Sequence, residues 1–287
     1  MRFLVEDIQL QLQLEATSAV YEHLIRSEVI LNGKRVVNSS EKIVDVTILK
    51  KENKVPQIQV KTIEHNISLD NLLKKQEDIT LKMASLSDTV LLGIDKKGLI
   101  KDIHNHHIIV QKWEVLQREL KELYEGNVMD QYLLGIRKKI EDKAKLLTDF
   151  QQPRLFGLLF DGLYGSYTTS NKAILGRIKT IYNTVDHIPV VIDESIYCDQ
   201  IDTNSETITL RLKGRLNSEQ TYINKIENHL IRKGVDKKSE FKLSSYDGIF
   251  HFNTNTGLLN TGSLVIETMF GEGYKKRDQL EMNIISA

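Results

Sequence analysis

Three histidines crowd one short stretch, His104-Asn105-His106-His107. Imidazole nitrogen is a favoured zinc ligand, and alternate side chains of an extended segment point the same way. His104 and His106 would then face one side and form the candidate metal pair, for Zn²⁺ or Ni²⁺. Such a site needs a third ligand and hydrogen-bond partners behind the ligands, and Asp102 is the nearest carboxylate. The letters also spell His-Asn-His, but the nuclease motif of that name spreads its residues over a ββα unit, which this string does not. The competing reading is a polar connector leading into a helix.

Asp193, Glu194, Asp199 and Asp202 surround the lone cysteine, Cys198. Paired carboxylates do acid–base work, or hold a hard cation, when a cleft keeps them roughly 5–9 Å apart. Here they fall on or beside a predicted strand, without the Asp-x-Asp-x-Asp-Gly loop of a calcium site, and read as a solvated strand edge. Cys198 has no basic neighbour in sequence to activate it and reads as an ordinary thiol. Gly271-Glu272-Gly273 lacks the third glycine of a dinucleotide fingerprint, and Gly165 to Lys172 lacks the second glycine of a phosphate-binding loop. Gly165-Ser166-Tyr167 is not a hydrolase elbow. Arg211, Lys213 and Arg215 alternate on one strand, with Arg232, Lys233, Lys237 and Lys238 beyond, but no aromatic residues interleave them as a nucleic-acid-binding sheet requires.

With no catalytic constellation and no cofactor expected, attention passes to apolar residues. Leu155 to Tyr164 is almost wholly apolar, and Gly157, Gly162 and Gly165 let another backbone approach closely. The run is too short to span a bilayer and reads first as core. A pocket wall or interface is the functional alternative, with Trp113, Phe156, Phe160, Leu163 and Tyr164 as candidate ligand- or partner-binding residues.

The elements that position these groups follow from periodicity. Ile8, Leu10, Leu12 and Leu14 alternate with glutamines in a stretch from Phe3 to Glu15, as in a half-buried strand. Tyr21 to Leu31 is a second strand, and Asn32-Gly33 a two-residue hairpin turn. Ile43, Val44, Val46 and Ile48 mark a third strand, and Ile58, Val60 and Ile63 a fourth, giving an antiparallel meander with one wet face. Ser68 is placed to cap a helix carrying Leu69, Leu72, Leu73, Ile79 and Met83. A hairpin follows over residues 89–103, turning at Gly98.

The centre is helical. Trp113, Leu116, Leu120 and Leu123 share one stripe; Gly126-Asn127 breaks that helix, and a second runs from Val128 to Phe150. Pro153 permits a third, short and apolar. Beyond a polar stretch from Ser166 to Asn171, Val190 to Tyr197 and Thr207 to Leu216 are extended. Ser218 is placed to cap a helix that ends at Gly234. Phe241 to Leu243, Gly248 to Phe252, Ser263 to Phe270 and Glu281 to Ile285 are extended again.

The 287 residues hold enough chain for a sizeable core without disulfides or a structural metal. Lys plus Arg balances Asp plus Glu at 39 each, so the chain lacks the basic excess of a nucleic-acid binder. A single cysteine fits a reducing compartment. Acids follow Met1-Arg2-Phe3-Leu4-Val5 where a signal peptide continues apolar, and no later run reaches the ~18 apolar residues of a membrane helix. With Met1 as the native start, these features predict a cytoplasmic protein.

The stretch from the Asp95–Gly98 turn through Asn105 to the helix around Trp113, with the apolar patch from Phe156 to Tyr167, is similar to a set of bacterial α+β proteins of no known activity. The resemblance covers about a quarter of the chain and implies a strand–helices–strand layout, with no site residues. In outline, a curved sheet with helices on its concave face also resembles the lipoprotein-carrier or lipid-binding type of fold. The expected fold is α+β, a mainly antiparallel sheet from both chain ends packed on a central helical segment. It forms one domain over 1–287, with a sub-boundary near 170 as the alternative. The expected function is non-enzymatic binding, as an adaptor, chaperone-like or toxin-neutralising protein that holds a protein partner or a small apolar ligand. A metal-assisted enzyme centred on His104 and His106 and a lipid-carrier-like protein are the alternatives.

Overall fold

The computed structural model describes residues 7–13, 18–49, 57–169, 173–236 and 240–286. Residues 1–6, Leu14, Glu15, Asn171, Lys172, Lys237 and Lys238, named above, lie outside them.

Two antiparallel meanders make up the main sheet. The first runs through β2 (Ser18–Leu31), β3 (Lys34–Leu49), β4 (Gln57–Ser68), β5 (Thr89–Ile94) and β6 (Ile100–Ile103). The second runs through β8 (Leu175–Val185), β9 (Ile188–Asp202), β10 (Thr207–Leu216), β11 (Phe241–Asn253), β12 (Leu259–Phe270) and β13 (Tyr274–Ser286). Their first and last strands pair with each other, from Tyr274 opposite Leu31 to Ser286 opposite Val20. The result is one 11-stranded sheet in the order β6-β5-β4-β3-β2-β13-β12-β11-β10-β9-β8. The molecule is thus α+β and sheet-dominated, with strands from both chain ends in one sheet, as the periodicity predicts. A separate ribbon pairs β1 (Asp7–Leu10) with β7 (Gly165–Thr168).

Turn chemistry fixes the registers. Asn32 and Gly33 take φ of 50° and 78°, the left-handed pair that suits the twist of a two-residue hairpin. At Gly98, φ is 81° and a Cβ would lie 2.3 Å from the Tyr164 ring, so this turn also seats that tyrosine. Between β3 and β4 the pairing slips: Val44 faces Thr62 and Ile43 faces Glu64, leaving Ile63 as an extra residue that is 59% exposed. Inward positions on β4 therefore pass from Val60 and Thr62 to His65 and Ile67 instead of Glu64 and Asn66.

The helices depart from the predicted bounds for local reasons. After Ser68, still in β4, the Asp70 carboxylate accepts the Leu72 N–H in a side-chain-mimicked turn. The helix there, α1 (Glu77–Ser85), starts late, with Glu77 reaching back to the Leu69 N–H. α2 (His106–Leu123) buries Ile109, Trp113, Leu116 and Leu120, while Leu123 is 57% exposed. The long helix predicted next divides into α3 (Asn127–Ile140) and α4 (Lys143–Phe150), because Asp142 caps the N–H groups of Ala144 and Lys145. α5 (Leu155–Leu159) is a single apolar turn or so, and α6 (Ile223–Arg232) starts beyond Ser218. β8 carries little strand signal in its sequence: it is a sheet edge, and Arg177 and Lys179 interrupt its apolar alternation.

Those two cations tie the chain at Asp161 to the sheet. Arg177 bonds both Glu194 and Asp161, with its Nη2 2.7 Å from the Asp161 carboxylate; Lys179 also bonds Asp161, and the Tyr246 hydroxyl donates to Glu194 at 2.6 Å. Glu194 is 1% exposed, so one member of the acidic group read as a solvated edge is a core residue. Its place between Ile192 and Ile196, on the inward phase of β9, accounts for that. Asp193, Asp199 and Asp202 instead serve Asn217, Arg211 and the 202–205 turn. Removing a buried cation leaves its acids uncompensated, so Arg177→Met should cost about 3–5 kcal/mol in urea unfolding. A loss under about 1 kcal/mol would mean that water already screens the cluster.

Candidate functional site

A cleft of about 530 Å³ lies between strands on both sides of the β2–β13 seam, α1 and the α4–α5 corner. Its apolar wall includes Ile25 on β2, Ile67 on β4, Met83 on α1, Ile266 on β12, Leu280 on β13, and Phe150 with Phe156 at the corner. The two phenylalanine rings stand 4.5 Å apart and form one continuous surface. Gln152 secures this corner to β8 by accepting the Tyr182 N–H at 2.9 Å. A second hollow, of about 400 Å³, shares Ile25, Ser40 and Ile67 with the cleft but is otherwise lined mostly by polar residues, Arg26, Glu41, Asn66 and Glu281 among them, and lacks the aromatic corner.

Polar residues enter the cleft in register. His23 on β2 faces Lys42 on β3, and Lys42 faces His65 on β4. Directly opposed residues on one sheet face are about 5 Å apart, so the three form a cross-strand row of bases. One row along, Leu280, Ile25, Ser40 and Ile67 face each other in the same way. His65 is held by Ser40, its Nε2 2.9 Å from the hydroxyl. His23 is 2% exposed, and neither ring nitrogen has a hydrogen-bond partner among the described residues. Lys42 makes no ion pair there either, although the charge of Asp88 favours its charged form; burial, the larger effect, lowers its pKa.

The residues singled out from sequence occupy other positions, apart from Phe156, which lines the cleft. Phe160 and Tyr164 pack against Tyr21, Val46, Ile48 and Ile58, where about 10 Å³ of free space remains. The Tyr164 hydroxyl donates to the Gly257 carbonyl at 3.0 Å, and its ring meets Phe252 edge-on at 6.0 Å. Leu163 and Trp113 are buried. His104 and His106 are served separately. His104 Nδ1 lies 3.2 Å from Asp102, whereas His106, in the first turn of α2, meets the Ile140 carbonyl at 2.7 Å through Nε2. The residue between them ties the connector down: Asn105 accepts the Leu91 N–H and donates to the Thr89 carbonyl, both at 2.9 Å. Among the described residues no group of three or more His, Cys, Asp or Glu is arranged to hold a metal ion. Burial pushes the Cys198 thiol up to about 11, which leaves it protonated and unreactive near neutral pH.

The basic row was legible in one respect: His23 shares the phase of Ala19 and Tyr21, and Lys42 that of Val44, Val46 and Ile48. His65 gave no such signal, because the slip at Ile63 reverses the alternation behind it.

Burial, then Lys42 and His65, push the His23 imidazole from 6.5 down to about 3, and burial with Lys42 pushes His65 down to about 4. The unfolded chain takes up these protons from about pH 6.5 downward, and the folded chain does not until about pH 3 to 4. Stability present above that upper value is therefore lost as pH falls through the window. The melting temperature should drop on acidification, and His23→Leu should show a shallower drop than the parent. Parallel profiles would mean that His23 does not carry the linkage.

No family model matches the chain, and no curated protein does. Among solved structures, the chain is similar to lipovitellin, described for its lipid–protein interactions, with a TM-score of 0.44 and 9% identity over 95% of this chain. The chain spans about 25% of the length of that protein. DynF of the dynemicin biosynthesis pathway of Micromonospora chersina aligns at a TM-score of 0.19 and 6% identity, over 98% of this chain and 85% of DynF. An outer membrane lipoprotein-sorting protein domain from Vibrio parahaemolyticus aligns at 0.17 and 8% identity, over 92% of this chain and 83% of the domain.

Proposed function

We propose that this chain is a non-enzymatic binding protein that holds an apolar ligand in the cleft over the β2–β13 seam. One observation carries the reading: a cleft of about 530 Å³ that combines a continuous apolar wall with a few converging polar groups. That volume falls in the ~300–1,000 Å³ range of small-molecule sites, and a mostly apolar lining with few polar anchors is their usual composition. In this reading the chain works as one domain, and the central helical segment is the second wall of the site. Phe156 is the ligand-binding aromatic, while Trp113, Phe160, Leu163 and Tyr164 hold the wall in place from the core.

A protein partner is the second reading, favoured by large apolar side chains that the helices leave in solvent. Val115 and Leu123 on α2, with Val128 and Leu134 on α3, are each at least half exposed, and Val128 is 85% exposed. No helix among the described residues is long and apolar enough to cross a membrane, so these side chains do not belong to a spanning helix.

N-phenyl-1-naphthylamine, an uncharged apolar fluorophore, provides the test. Its emission should rise on titration and saturate at one molecule per chain. Ile67→Trp, which puts an indole into the cleft from a half-buried position, should weaken that binding about tenfold. No saturable binding would reject the cleft as a ligand site. Native mass spectrometry of untagged protein then separates the two readings: a small added mass on the 33.0 kDa chain supports the first, and a second polypeptide the other.

A further inference from the structure

The cleft holds more positive charge than its own acids satisfy. Asp278 accepts the Ser27 hydroxyl at 2.6 Å and lies 3.4 Å from Lys276. Asp149 is 2.6 Å from Lys139. These two carboxylates of the lining are therefore occupied, while Lys42 and the rim residue Arg154 have no ion-pair partner among the described residues. Asp88, in the turn before β5, acts electrostatically on Lys42 without forming an ion pair with it, and Lys112 also acts on Asp88.

Resting on the reading that this cleft is the ligand site, we propose that its ligand is a single-chain amphiphile with an anionic oxygen head, carboxylate or phosphate, seated on the His23–Lys42–His65 row. An acyl or alkyl tail would lie along the neighbouring row of Leu280, Ile25 and Ile67 toward Phe156. Three features fit this ligand together. A tail laid over Lys42 removes water from its ammonium, and a counter-charge in the same place offsets that cost. A neutral imidazole offers one N–H to an oxygen acceptor, which His23 finds on no described side chain. The extra residue at Ile63 turns His65 into the cleft, whereas unbroken alternation would present Glu64 there and repel an anion. A neutral lipid satisfies the apolar wall, and its oxygen can accept from His23, but it brings no counter-charge to Lys42.

The test compares dodecanoate, dodecyl phosphate and dodecan-1-ol as competitors of bound N-phenyl-1-naphthylamine on the full chain. At least one anionic compound should bind about tenfold or more tightly than the alcohol of equal length. Which of the two is stronger identifies the head. Lys42→Met, which keeps the stem and removes the charge, should bring the acid-to-alcohol affinity ratio close to one. Equal affinities of all three for the parent protein would overturn the head-group assignment and leave the apolar cleft intact, as would a ratio that survives Lys42→Met. If neither the fluorophore nor any competitor binds, the cleft reading falls with it.

Discussion

The pairing of β2 with β13 is the contact on which the rest of the molecule depends. Each meander alone is a sheet with an open edge, and closing that edge makes eleven strands continuous. The same seam builds the floor of the cleft, since Ile25 comes from one side of it and Leu280 and Ile266 from the other. Neither half of the chain contains the site. A ladder that joins residues this far apart in sequence gains its hydrogen bonds only after a large loss of chain entropy, which the apolar face of both meanders must offset.

Two groups of ionisable side chains sit on this sheet, and they are handled differently. Around Glu194 every charge has its complement: Arg177 spans two acids, Lys179 shares one of them, and Tyr246 supplies a neutral donor. That cluster ties the segment carrying Asp161 to the β8 edge, and its chemistry is complete. Along His23, Lys42 and His65 the bases adjoin one another without an acid between them. A saturated network stabilises a particular arrangement; an unsaturated one in an apolar setting costs stability.

Much of the sheet was legible because strand alternation and turn residues report directly on local backbone. Asn32-Gly33, Gly98 and the apolar phase of β2, β3, β9 and β12 gave strands and turns close to those observed. Helix bounds were less legible where a side chain competed for the backbone: Asp70 stabilised a turn instead of a first helical residue, and Asp142 started a new helix inside a predicted one. The candidate site was hardly legible at all. Sequence drew the eye to His104 and His106, which lie close in the chain but rest on different partners. The basic row is made of residues from three strands, and its third member depends on a register slip that no alternation pattern announces. Of the aromatic candidates Phe156 lines the cleft, since the others follow the same apolar pattern into the core.

The seam also sets an order on events during synthesis. Ser27 and Asp278, which bond across it, are 251 residues apart. At ~5–20 residues per second, the outer edge of β2 emerges roughly 10–50 s before its partner strand exists. During that interval β2 is bonded on one side to β3 and presents a row of free backbone groups on the other. The nascent chain is thus an incomplete sheet with a charged and histidine-bearing strand at its open margin. His23 and Arg26 on that margin keep it from being a uniformly apolar template of the kind that invites edge-to-edge pairing.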